Sequence, residues 1–199
     1  MKRLIIALAL VALMSSTVFA EGLSLGFKGG LNLANWTGDD IDENKIKLCF
    51  GGGVFMNYPL TESISLQPEL LFMMKGTKAD DDDIDAGYRM TYIDIPILAK
   101  FAVPTEGAFT PCFFAGPFIA LNLSAEMYME DEDMDIKDDI KSTDFGLMFG
   151  GGFDYAMGEG YLTFDARYAL GLTDFVDVEE DVNIKNTGIM FMVGYGFNF

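Results

Sequence analysis

Histidine occurs nowhere in the 199 residues. Its absence removes every nucleophile–base pair built on imidazole and the commonest protein ligand for transition metals. Cysteine is nearly absent too, with only Cys49 and Cys112. Neither stands where a lipid-bearing cysteine would follow a leader. They fall near the starts of two different apolar segments, so we read them as packed free thiols, although an exported chain could pair them. Basic residues are scarce, 13 Lys and Arg against 31 Asp and Glu. That balance repels phosphate and excludes nucleic acid as a partner. Beyond residue 20 no apolar run reaches 18 residues, which excludes helical membrane spans.

What is present begins with Lys2 and Arg3, the apolar run Leu4 to Met14, and the small-x-small stretch Val18-Phe19-Ala20. This pattern predicts a secretory signal over residues 1–20, cleaved after Ala20 and too short to serve as an anchor. Residues 21–199 then form one domain. The leader takes two of the basic residues and none of the acidic ones, leaving 11 against 31, a net charge of −20. The chain is rich in Phe (18), Tyr (8) and Gly (22), a composition typical of transmembrane barrels with aromatic girdles.

Turn residues and acidic runs divide residues 21–199 into eight alternating segments: 22–36, 46–58, 63–77, 88–101, 108–127, 143–155, 160–173 and 187–199. Each exceeds the roughly 9–11 residues that a tilted strand needs to cross hydrocarbon. The connections alternate in kind. Residues 59–62, 103–107 and 157–159 are short, whereas 39–45, 78–87, 129–141 and 174–186 are long and acidic. Short turns at one end and long polar loops at the other predict an all-β, eight-stranded antiparallel transmembrane barrel, its turns periplasmic and its acidic loops extracellular.

The faces agree with this. In the last segment Ile189, Phe191, Val193, Tyr195, Phe197 and Phe199 share one side, opposite Gly188, Met190, Gly194, Gly196 and Asn198. In the seventh, Leu162, Phe164, Ala166, Tyr168 and Leu170 oppose Thr163, Asp165, Arg167 and Ala169. Every mid-strand charge falls on the face opposite the apolar one, as expected if Arg or Lys at the bilayer midplane costs about 2–4 kcal/mol. The inward set is Lys28, Lys47, Lys100 and Arg167 against Glu69, Asp94, Asp144 and Asp165. Near balance predicts a crosslinked polar interior, because buried charges must be paired. An eight-stranded barrel is just wide enough for side chains to fill it. The same carboxylates could be proposed as catalytic, or Arg167 as a substrate clamp, but a structural network is the simpler expectation.

Glycines 51–53 and 150–152 lack the Lys and Ser/Thr that follow in a phosphate-binding loop, and they lie inside strand patterns that favour close packing. The acidic runs 78–83 and 130–135 do not match EF-hand spacing. They are expected to be solvated loops, with weak divalent bridging to lipopolysaccharide as a secondary possibility. No cofactor or metal is expected.

Several stretches resemble the PorT-type "porin family" of small outer-membrane barrels. They are Gly26-Phe-Lys-Gly-Gly-Leu-Asn-Leu33, Leu66-Gln-Pro-Glu-Leu-Leu-Phe72 with Lys75-Gly76, and Tyr92-Ile-Asp-Ile-Pro-Ile-Leu98. Phe114-Ala-Gly-Pro117, Asp144-Phe-Gly-Leu147, Arg167-Tyr-Ala-Leu-Gly-Leu172 and Lys185-Asn186 follow in order. The resemblance implies an eight-stranded outer-membrane barrel and little about activity. Likeness to outer-membrane proteins generally implies that the terminal Phe199 contacts the barrel-assembly machinery.

The leading expectation is a non-enzymatic integral outer-membrane protein with a structural or surface-interaction role, in contact with outer-membrane lipids and lipopolysaccharide. We expect a monomer, because a closed barrel has no free edge. The alternative is a small porin, which the inward-phased Trp36, Phe55, Phe114 and Phe118 oppose. A lipid A-modifying enzyme of similar size would ordinarily use histidine. A lipocalin-like carrier would place its greasy face inside and stay soluble.

Overall fold

The computed structural model describes residues 22–39, 44–79, 86–130, 132–177 and 183–199. The expected leader, residues 1–20, and the acidic stretch 80–83 lie outside the described residues. Alternation builds nine strands: β1 (Ser24–Thr37), β2 (Lys47–Pro59), β3 (Ile64–Lys78), β4 (Ala86–Ala102), β5 (Phe109–Met129), β6 (Glu132–Asp135), β7 (Thr143–Met157), β8 (Gly160–Gly171) and β9 (Lys185–Asn198). All pairings are antiparallel in the order β4-β3-β2-β1-β9-β8-β7-β5, and β4 pairs with β5 to close the ring. The barrel therefore has eight strands. Short β6 extends the upper end of β5 as a ribbon.

The connection 129–141 is more ordered than a plain loop. It contains β6 and the 3₁₀ turn Lys137–Asp139. A bulge also interrupts the β4–β5 ladder: Thr91 pairs with Ser124 and Tyr92 with Asn122, so Leu123 has no partner. An extra residue shifts the side-chain phase. Asn122 points inward before the bulge, and Ala125 does so after it. Past this point the ribbon carries the part-exposed Arg89–Glu126 pair (3.4 Å), a charge that the hydrocarbon-facing zone below would not tolerate.

The outer surface is apolar over the barrel height. Leu31, Phe50, Leu70, Phe72, Ile97, Phe113, Phe149, Phe191 and Val193 are all exposed. An apolar surface so extensive marks contact with something other than water. Around the short-turn end stand Tyr58, Phe101, Phe109, Tyr155, Phe197 and Phe199, an aromatic girdle of the kind found at membrane interfaces. Phe199 donates its amide to Leu23 O (2.9 Å), stitching the end of the chain to the start of β1.

Candidate functional site

The barrel interior gathers the buried polar and charged side chains of the described residues. All eight charged residues expected inside, Lys28, Lys47, Glu69, Asp94, Lys100, Asp144, Asp165 and Arg167, are buried there. Room for the longest of them comes from glycine. Lys28 on β1 is flanked in register by Gly53 on β2 and Gly194 on β9. A Cβ on Gly194 would stand 2.8 Å from the Lys28 Cβ, and one on Gly150 would stand 2.9 Å from that of Arg167. These glycines trade side-chain volume for the stems of their charged neighbours.

Four charges meet at mid-height. Arg167 Nη1 donates to Glu69 Oε2 at 2.7 Å, and its Nη2 donates to Asp165 Oδ2. Lys28 Nζ donates to Glu69 Oε1 (2.9 Å) and to Asp165 Oδ2 (2.7 Å). Gln67 Nε2 donates to Glu69 Oε1 at 2.7 Å. The side chains of the four ions are 2% exposed or less. Two cations and two anions cancel, which is what allows such a cluster to be buried. Arg167 also lies 5.0 Å from the Phe114 ring centroid and Lys28 4.7 Å from that of Phe55. Cation–π contact thus covers the faces that the carboxylates leave open.

Side chains from opposite walls meet inside the barrel. In the ring order, β3 and β8 are separated by β2, β1 and β9 on one side and by β4, β5 and β7 on the other. They are diametrically opposed. The Glu69–Arg167 contact therefore spans the full width of the barrel. Asn186 on β9 reaches Tyr92 on β4, also opposite, at 3.4 Å.

Nearer the short turns, Lys100 pairs with Asp154 (2.7 Å) and Ser24 hydrogen-bonds Tyr161 (2.9 Å). Toward the loops, Lys75 pairs with Asp94 at 2.9 Å. Asp144 is held by neutral donors, Thr173 Oγ1 at 2.8 Å and Asn186 Nδ2 at 3.0 Å. Lys47 donates to Tyr88 O (2.8 Å) and lies 4.1 Å from the Tyr128 ring centroid.

The mouth is filled by apolar groups. Phe175, inside an acidic connection, is fully buried and packs 5.1 Å from the Trp36 ring, which in turn lies 4.6 Å from Tyr88. The connection holding Phe175 is tied down by Lys141 N to Phe175 O (2.7 Å), Asp177 N to Asp139 O (2.7 Å) and an Ile140–Val176 bridge. In the same region Lys137 donates to Asn122 O at 2.7 Å, and desolvation holds its ammonium below the ordinary lysine range.

Sequence reasoning left Lys75 out of the inward set, although the period of two running through Leu71 and Met73 already points to it. It gave no sign of Phe175, which lies in the connection 174–186, read only as long and acidic. Phe55, Phe114 and Phe118 are buried as their phase requires, whereas Trp36 is only part-buried at the mouth. Cys49 and Cys112 are free, buried and on strands that do not neighbour each other, β2 and β5. Among the described residues no cluster of metal-ligating side chains occurs.

The sequence matches the family model described as "Outer membrane protein beta-barrel domain" over residues 15–177. A comparison with curated proteins found no match. Among solved structures the fold is similar to that of Neisserial surface protein A (NspA), with a TM-score of 0.54 at 14% identity, covering 89% of this chain and 97% of that one. It is also similar to the outer membrane protein OprG from Pseudomonas aeruginosa, with a TM-score of 0.52 at 15% identity, covering 90% of this chain and 96% of that one. At such identities the likeness speaks for the fold alone. With the family model spanning most of its length and a closed eight-stranded barrel beneath it, the chain belongs to the outer membrane protein beta-barrel domain family.

Proposed function

We propose that this barrel is a non-enzymatic integral protein of the bacterial outer membrane that conducts no solute and serves a structural or surface-interaction role. The observation that carries the reading is the Glu69–Arg167 pair, 2.7 Å across the full diameter of the lumen and bound on both sides by Lys28 and Asp165. A continuous aqueous path would have to break that cluster. Breaking a buried pair leaves an uncompensated charge, at about 3–5 kcal/mol. Commitment of Glu69 and Asp165 to cations also supports a structural part for these carboxylates rather than a catalytic one.

The remaining features fit the same reading. Residues 1–20 act as the export signal, the short turns face the periplasm and the long acidic connections face outward. The exposed belt contacts lipid, with lipopolysaccharide at the outer rim, and Phe199 engages the assembly machinery before closure. The chain works as a monomer. The likeness of the stretches around Lys28, Glu69 and Arg167 to PorT-type barrels supports membership of that subgroup.

Planar-bilayer recording of refolded protein tests the proposal. A silent bilayer supports it, and stable discrete conductance from wild-type protein would replace it with the small-porin reading. Cell fractionation with a heat-modifiability gel tests the location. Recovery in the periplasmic fraction without detergent would overturn the membrane assignment itself.

A further inference from the structure

Between the four-charge cluster and the aromatic mouth lies a small chamber lined by Asn32, Lys75, Phe118, Asn186, Gly188 and Met190, among others. About 10 Å³ of it is open to the centre of a water-sized sphere. That is roughly what one water requires, and far below what a solute or a file of waters needs.

The polar groups around it are specific. Asn32 Nδ2 donates to Met74 O at 2.9 Å, which fixes that amide with its oxygen turned away from the carbonyl. Asn186 Nδ2 faces the Asp144 carboxylate at 3.0 Å, which fixes the second amide in the same way. Flipping either one would set oxygen against oxygen. Both Oδ1 atoms are then buried acceptors to which no described residue donates. The chamber wall also holds Lys75. Its ammonium carries three N–H groups but meets one carboxylate, Asp94, among the described residues. The rings of Tyr92 and Phe118 lie 4.6 and 5.1 Å from it.

We propose that the chamber is a binding site for a single ordered water. The water accepts from the Lys75 ammonium and donates to Asn32 Oδ1 and Asn186 Oδ1. Three partners is the usual complement of a buried water. The assignment satisfies two acceptors that would otherwise be buried at a cost. A metal cation fits less well, because the ammonium stands in the same wall and would repel it. The bound water joins β1, β3 and β9 inside the barrel through Asn32, Lys75 and Asn186.

Water-selective NOE and ROE spectra of the full ¹⁵N-labelled protein, refolded in lipid nanodiscs, test this. Long-lived water should give cross-peaks to the side-chain amides of Asn32 and Asn186, and Gly188→Ala should abolish both. The added methyl would stand 2.5 Å from Asn32 Oδ1 and fill the space. Should Gly188→Ala fail to assemble, Lys75→Met removes the donor instead, and both cross-peaks should weaken together. Absence of water cross-peaks in correctly folded wild type would overturn the assignment. So would shifts of the two amides on exchanging sodium for choline, which would reveal a cation in the chamber.

Discussion

Glu69→Gln removes one charge at the centre of the barrel and almost no volume. In wild type, Glu69 Oε1 accepts from Lys28 and Gln67, while Oε2 accepts from Arg167 at 2.7 Å. After substitution two cations face Asp165 alone, with every side chain in the cluster 2% exposed or less. The cluster passes from neutral to a net charge of +1 in a site that water does not reach. Loss of one partner from a buried ion pair costs about 3–5 kcal/mol. Because glutamine keeps an acceptor for one of the donors, we expect the lower end, about 3 kcal/mol.

Adding Lys28→Met restores neutrality by leaving Arg167 with Asp165. The double variant should therefore be more stable than the sum of the two single losses predicts, by roughly 0.5–3 kcal/mol. Equilibrium urea unfolding from lipid vesicles, followed by the fluorescence of the single tryptophan, Trp36, measures all four corners of the cycle. Two results would refute the reasoning. One is a Glu69→Gln loss inside the range of about 0.5 kcal/mol expected for an ordinary surface change. The other is strict additivity in the double variant.

Further outcomes follow from other parts of the barrel. Phe191→Arg, at mid-strand on the outer face, should cost about 2–4 kcal/mol in bilayers, while Tyr195→Arg near the girdle should cost about 0–1 kcal/mol; equal costs would contradict the lipid-facing assignment. Phe175→Ala should speed hydrogen exchange at the amides of Lys141 and Asp177, which close the mouth, and leave the β8–β9 ladder protected. A membrane-impermeant maleimide should leave Cys49 and Cys112 unlabelled in the folded barrel and label both in urea, since both thiols are buried; labelling of either in folded protein would show that the interior admits solutes.

Much of the architecture was legible because it rests on local rules. A period of two, a ban on charge at the lipid face, and turn residues between strands are each read over a few neighbouring positions. The expected segment 46–58 became Lys47–Pro59, and 63–77 became Ile64–Lys78. The inward phase of Lys28, Glu69, Asp165 and Arg167 was legible for the same reason. The bulge at Leu123 was not, because alternation on β5 looks unbroken until its register against β4 is known.

Residue type and spacing alone therefore determined that this chain makes strands with one greasy and one polar face, enough of them to close, and which charges turn inward. Tertiary structure decided which of those charges meet. The pairing of Glu69 with Arg167 across 98 positions of sequence depends on ring closure and on the order that sets β3 opposite β8. The same closure admits Phe175 to the mouth and leaves a water-sized chamber beside Lys75. Both depend on how much volume remains once every inward side chain is placed, a quantity that belongs to the whole barrel and to no segment of it.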